Sequence, residues 1–239
     1  MIRTELFKLR THRTPWMLFA ILVASLVVGP IYFSIKEPDD ATAVIDTLTG
    51  VFSVMAPLLG AVFGSWIVGH EFRQGTLRRV LGNDARRGRL IATKAVLGLA
   101  AVTVGQSLAA GTGALASAAS SATFDANLMW DGVVRDALGS GFLTLLTAAL
   151  AFSFSILFRS DTYGMLGAVA LMLIVGPLLT LIPTIGKYTP SALGEDVTLW
   201  ISGSGEERGV AIAAALVGLA ATLIAIAATA MAMFQRRDI

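Results

Sequence analysis

Of the 239 residues in this chain, 55% are apolar and 14% charged, and the mean hydropathy is +0.75. Such a composition excludes an ordinary soluble domain and marks an integral membrane protein, and the length suits one compact bundle of about five to seven spans with little left for a soluble catalytic domain. There is no cysteine, which excludes disulfides, thiolate metal sites and cysteine nucleophiles.

The chain starts with MIRTELFKLRTHR, in which Ile2, Leu6 and Leu9 stand at helical spacing with Arg3, Lys8 and Arg10 between them. Residues 1–14 are expected to form a short amphipathic helix along the cytoplasmic membrane surface. The plainer alternative is a basic stretch that only orients the first span. Cleavage as a signal peptide is not expected, because the apolar stretch is of spanning length and VVGPIYF has no small-x-small site.

Apolar runs of spanning length fall at about residues 15–35, 47–68, 91–119, 137–158, 163–182 and 210–234, within a single domain, residues 1–239. None carries a charge away from its ends. The runs are continuous and long, where a barrel would show alternating segments of about ten residues, so an all-α integral membrane bundle of six helices is expected.

Basic residues orient it. Placing the N-terminus inside puts Arg3, Lys8, Arg10 and Arg13, then Arg73, Arg78, Arg79, Arg86, Arg87, Arg89 and Lys94, then Arg159, then Arg236 and Arg237 on the cytoplasmic side. Of the 18 basic residues, only Lys36, Arg135, Lys187 and Arg208 remain outside. Six spans with both termini cytoplasmic, in the cytoplasmic (inner) membrane, satisfy the positive-inside rule.

In the third span, Gly105, Ala109, Gly113 and Ser117 recur every four residues and form a smooth packing stripe, for another helix of this chain or for a second subunit. In the fifth, Gly176, Pro177 and Pro183 are expected to kink or end the helix. Residues 184–209 make the longest outside connection, and Trp200 there suggests a segment that dips into the interface, the alternative being an exposed loop.

Catalytic and metal chemistry find little support. HEFRQ resembles the opening of a zinc-protease helix, but the position four residues after His70 is Gln74. His12 reads as a solvated polar residue. No histidine lies inside a span to serve a nucleophile, and Gln106 with scattered Ser and Thr is a poor catalytic set. No ionisable group lies inside the spans for ion coupling, and no G-x-x-x-x-G-K-[ST] loop is present, so a nucleotide engine has to be a partner.

The connection between the second and third spans holds the most order. Seven of the cytoplasmic basic residues lie between Gly69 and Lys94, which the positive-inside bias largely explains. The bias does not explain Leu77, Val80 and Leu81 at i, i+3 and i+4, an apolar face on a short helix with Arg78 and Arg79 opposite. Such a helix docks into a groove on a cytosolic protein or lies on anionic lipid. Glu71, at the end of the second span, holds a basic residue, favours the start of the following helix or simply marks the boundary.

In order and spacing, Glu71, Gly75-Thr76-Leu77, Arg87 and Lys94 resemble the cytoplasmic loop of bacterial ABC-type-2 transporter permeases, with Asp84 and Arg86 departing from the usual proline and serine. The amphipathic start, the six spans and the long connection before the last span are similar to that family as well. The resemblance implies a permease without a nucleotide site or cofactor of its own, pairing as a homo- or heterodimer with a second permease. Two copies of a P-loop ATPase would bind ATP and magnesium. The loop helix would be the coupling element, with Glu71, Gly75, Thr76, Leu77, Val80, Leu81, Arg87 and Lys94 as its residues. No nucleic-acid partner is expected. The Ala-, Leu-, Val- and Gly-rich spans suit export of an amphiphile, such as a drug, antibiotic, peptide or lipid-like compound. A non-transporting scaffold, immunity or sensor subunit would share the topology.

Overall fold

The computed structural model describes residues 2–36, 41–75, 87–120, 134–203 and 210–236. Among these the chain is helical, without strands. The elements are α1 (Ile2–Thr11), α2 (Arg13–Lys36), α3 (Ala41–Gln74), α4 (Arg87–Ser120), α5 (Arg135–Phe158) and α6 (Asp161–Ala170). A π-helical turn (Leu171–Val175) then leads into α7 (Gly176–Thr180), followed by α8 (Pro183–Gly186), α9 (Pro190–Ser202) and α10 (Ile212–Arg236).

Five stretches among the described residues are long and apolar enough to cross a membrane: Gly50–Gln74, Gly88–Thr112, Arg135–Phe158, Asp161–Thr180 and Ile212–Phe234. They fall where the second to sixth apolar runs were expected, and α2 occupies the place of the first. The helices extend beyond those runs. Residues 69–74 continue α3 and residues 87–94 begin α4, so the expected loop from Gly69 to Lys94 is shorter by both ends. Glu71 and Lys94 are therefore helical residues.

The centre of the bundle is the pair α3 and α5. In α5, 56% of the apolar window is buried inside the protein, against 11% in α10, so α5 is the central post and α10 a peripheral helix whose apolar surface is left for lipid. α2 and α4 cover α3 on one flank, α6 packs on α3 and α5, and α9 and α10 pack on α5. One core cluster joins Ala61 of α3, Leu146, Leu150 and Ala151 of α5, Ala168 of α6, Leu193 and Val197 of α9 and Leu219 of α10.

Small residues set how closely α3 and α5 approach. A Cβ added at Gly60 would stand 2.7 Å from Thr144 Cγ2 and 2.8 Å from the Thr144 carbonyl, and one at Gly64 would collide with the Ala148 backbone. This is a small-x3-small contact of the kind that replaces hydrophobic association inside a bilayer. Across the same interface the Thr147 hydroxyl donates to the Pro57 carbonyl at 3.0 Å. The other α5 hydroxyls bond back to their own helix, Thr144 to Ser140 at 2.7 Å and Ser155 to Ala151 at 2.8 Å, so each is satisfied without water. A leucine at Gly64 is expected to force the two central helices apart. It should lower stability by at least about 1 to 3 kcal/mol, measured as a shift in unfolding midpoint in mixed micelles.

In the third-span stripe, the described residues divide. Ala109 is fully buried and packs in a cluster with Leu22, Phe52 and Ala56, an intrachain contact. A Cβ at Gly105 would meet nothing within 4 Å, so that glycine borders open space. Gly113 and Ser117 lie on α4, and nothing further is described of them.

The expected irregularity near Gly176 and Pro177 takes the form of the π turn. Gly176 N–H donates to the Leu171 carbonyl, a five-residue closure, immediately before a proline that has no N–H to offer. Gly186 then packs against Thr180, where an added Cβ would strike its backbone. The stretch 184–209 is no extended loop in its described part. Its helix α9 is capped by Thr189, whose hydroxyl accepts from Ala192 N, and it buries Leu193, Gly194, Asp196 and Val197 against α5 and α10.

Candidate functional site

α3 runs without a break to Gln74 and stops at Gly75, whose φ of +64° is the left-handed geometry that terminates helices at little cost for glycine. Gly75 N–H closes on the Phe72 carbonyl at 3.2 Å. The last turn of α3 thus ends at a fixed point, and its side chains fan out to meet three other elements.

Glu71 is the centre of this junction. Its Oε1 accepts from Lys94 Nζ of α4 at 2.7 Å and from Lys8 Nζ of α1 at 2.6 Å. The Lys94 side chain is 1% exposed and that of Glu71 7%, while Lys8 is 37% exposed. Lys94 is removed from water there, and the Glu71 carboxylate in direct contact is the counter-charge that such burial calls for. Lys8 reaches the same oxygen from the rim, where part of its charge remains in solvent.

Aromatic and further polar contacts tie down the remaining elements. His12, at the break between α1 and α2, packs edge-on against Trp66, with centroids 5.5 Å apart, and against His70, 5.1 Å away. Trp66 and His70 lie 5.7 Å apart on the same face of α3. His12, expected as a solvated residue, is half-buried, with two α3 rings packed against it. Arg73 Nη1 pairs with Asp161 Oδ2 of α6 at 3.1 Å, and Gly69 lets the Asp161 backbone come so close that an added Cβ would collide with it. Since Arg73 is 62% exposed, that pair orients α6 more than it stabilises it. A cleft of about 100 Å³ lies among Lys8, His12, Trp66, His70, Glu71 and Lys94.

The apolar support beneath the junction comes from two clusters. Val68 of α3, Leu90 and Ile91 of α4, Phe152 and Ile156 of α5 and Ala230 and Phe234 of α10 form one. Phe63, Val102 and Ala148 form the other, with Leu9 of α1 packed against it. The residue chosen in α1 for its apolar spacing therefore touches the bundle, and its neighbour Lys8 is aimed at Glu71.

Of the residues singled out in sequence, Glu71 and Lys94 are brought into direct contact, Gly75 closes α3 and Arg87 opens α4. Thr76, Leu77, Val80 and Leu81 lie outside the described residues. Lys8 as the third member of the junction was not singled out. Its partner stands 63 positions away, and among several basic residues of the first segment no local pattern distinguishes it.

Geometrically the junction does one thing. It fixes the end of α3 and the start of α4, the two helices bracketing residues 75–86, to one carboxylate, and joins α1 to the same point. Nothing in it resembles a nucleophile with its base, and its charged groups are engaged with one another.

Comparison with known proteins adds one positive finding. No curated protein matches the sequence. A family model described as ABC-2 family transporter protein matches residues 1–187, a stretch that contains α1 to α8 and with them the whole Glu71 junction. With most of its length matched and its apolar helices arranged as a multi-pass membrane bundle, this chain belongs to the ABC-2 family of transporter membrane proteins.

Proposed function

We propose that this chain is the transmembrane half of an exporter for an amphiphilic compound, driven by ATP that a separate ATPase subunit hydrolyses. The permease character follows from the family, a type without its own nucleotide-binding domain that normally works with an ATPase subunit. Export, the amphiphilic cargo, two ATPase copies that bind ATP and magnesium, and a second permease as homo- or heterodimer partner are the further content of the proposal. On this reading α2 is the sixth crossing, and the positive-inside distribution of the basic residues then favours both termini and residues 75–86 on the cytoplasmic side. On the same reading α1 lies along the cytoplasmic surface, and α9, which packs on α5 and α10, dips into the outer interface with Trp200.

The observation that carries the coupling part is the Glu71 junction. In the sequence from Gly75 to Gly82, which lies outside the described residues beyond Gly75, the apolar residues Leu77, Val80 and Leu81 are the ones that would dock in the ATPase, with the neighbouring arginines steering the encounter. Movement of that segment reaches α3 and α4 together because Glu71 and Lys94 clamp the two connections, and α1 moves with them through Lys8. Three helices are thus loaded by one displacement at the docking face.

The test is affinity purification of the tagged chain from its native membrane in mild detergent. A P-loop ATPase is expected to accompany it in equal amount and to hydrolyse ATP in the complex. Recovery of the chain with no ATPase would instead support a scaffold, immunity or sensor subunit.

A further inference from the structure

α1 has two sides of different character. Lys8 and Leu9 point into the bundle, one to Glu71 and the other to the cluster of Phe63 and Val102. Phe7, Arg10 and Thr11 are exposed on the other side, and so is Arg13, the first residue of α2. The elbow between the two helices is tied back on itself, because Trp16 Nε1 donates to the Arg10 carbonyl at 3.1 Å and His12 N–H to the Lys8 carbonyl at 2.9 Å. Arg10 and Arg13 are therefore carried on one fixed corner. Among the described residues neither reaches a carboxylate, whereas Lys8 and Lys94 share Glu71 and Arg73 has Asp161.

An open groove of about 410 Å³ starts at this corner and runs between α2, α3 and α4. Leu9, Trp16 and Leu97 line its near end, Leu22, Ala56 and Leu108 its far end, and no charged residue lines it anywhere. Leu97 follows Lys94 by one helical turn, so the near end is the one beside the Glu71 junction. Between Leu97 and Leu108 the groove follows α4 for about 16 Å at the helical rise. That is close to the depth of one leaflet, half of a hydrocarbon core of about 30 Å. Trp16 and Leu108 are more than half exposed, so the groove is open sideways along its length.

We infer that an anionic phospholipid of the cytoplasmic leaflet binds here, with its headgroup phosphate on Arg10 and Arg13 and one acyl chain in the groove. Charge complementarity selects this occupant. Guanidinium groups match phosphate oxygens in geometry as well as charge, and two of them without a carboxylate stand where the apolar groove begins. A cationic amphiphile would be repelled at that corner, and a wholly apolar chain would leave both arginines unused. Trp16 has its N–H on the elbow and its ring on the groove, at the boundary between headgroup and chain that tryptophan favours. The bound lipid joins the α1–α2 elbow to α3 and α4, and so holds α1, with its Lys8, against the Glu71 junction. The inference takes from the proposed function only the cytoplasmic placement of α1, and nothing from export or from the ATPase.

The experiment uses the full chain alone in micelles of an uncharged detergent, without ATPase or ATP, so that its outcome is separate from that of the export reading. The probe is phosphatidylglycerol with a diazirine in the middle of one acyl chain, and labelled peptides are located by mass spectrometry. Labelling is expected to concentrate on α2, α3 and α4 around the groove. Unlabelled phosphatidylglycerol should compete better than phosphatidylcholine of the same chains by about tenfold, as two basic residues facing an anionic headgroup provide. Replacing both arginines, Arg10→Gln with Arg13→Gln, should erase that preference, and Arg10→Lys with Arg13→Lys should keep most of it. Gly105→Phe places a ring in the groove from a position where an added Cβ meets nothing within 4 Å, and should abolish labelling there. Equal competition by the two lipids in the native protein, which needs no variant to fold, would overturn the inference. So would a preference that survives the glutamine substitutions, or labelling spread evenly over the lipid-facing helices, α10 included.

Discussion

Glu71→Gln is expected to lower the stability of the bundle by about 3 kcal/mol, and to reduce transport more than it reduces insertion. Glutamine keeps the shape and an acceptor oxygen but removes the charge that Lys94 meets at 2.7 Å with its side chain 1% exposed. Removing one member of a buried ion pair strands the other in a low-dielectric site, which typically costs about 3 to 5 kcal/mol. The lower end applies here, because Lys8 is 37% exposed and can give its charge back to solvent. The signature of this cause is rescue. Replacing both members, Glu71→Leu with Lys94→Leu, removes two desolvated charges together and should regain most of the lost stability, since apolar pairs often substitute for buried ion pairs without penalty. The measurement is the unfolding midpoint in mixed micelles for the two single variants and the double one. Equal stability of Glu71→Gln and the native chain would reduce the residue to a boundary position.

Leu77→Asp is expected to separate ATP hydrolysis from transport in the assembled exporter. The proposed docking face is small, with Leu77, Val80 and Leu81 as its apolar residues, and a few buried residues commonly carry most of the energy of an interface. An aspartate at its centre would desolvate a charge against an apolar cleft, so transport should fall at least about tenfold, as a loss of about 1.4 kcal/mol or more in docking implies. Insertion should be unaffected, because Leu77 precedes the span that starts at Gly88. Basal hydrolysis by the ATPase should persist while stimulation by the permease is lost. Unchanged transport in this variant would count against residues 76–86 as the coupling element.

The bundle itself was legible because hydropathy over spanning lengths is a property of local composition. The helices at 50–74, 88–112, 135–158, 161–180 and 212–234 lie where their apolar runs are. Glu71 and Lys94 were legible too, as an acidic and a basic residue at the facing ends of consecutive spans, though only the structure shows that they meet. The closest helix contact was not legible. Small residues every four positions mark a candidate face on any helix, and the sequence offers one at Gly105 and Ala109 as readily as one at Gly60 and Gly64. Which of them receives a neighbouring backbone depends on how α5 docks, and α5 lies more than 70 positions beyond Gly64. Lys8 and His12 were missed in their roles for the same reason. Their partners, Glu71, Trp66 and His70, are brought to them by the packing of α1 at the end of α3, and no spacing rule reaches across such separations.

The most direct test of a permease driven by a separate ATPase is transport in proteoliposomes containing this chain and the ATPase that purifies with it, oriented with the ATPase outside. Added ATP and magnesium should accumulate a fluorescent uncharged amphiphile in the vesicle lumen, omission of this chain should abolish the accumulation, and Glu71→Gln should reduce it. Hydrolysis at the same rate without this chain, with no ATP-dependent movement of the amphiphile when it is present, would contradict the account.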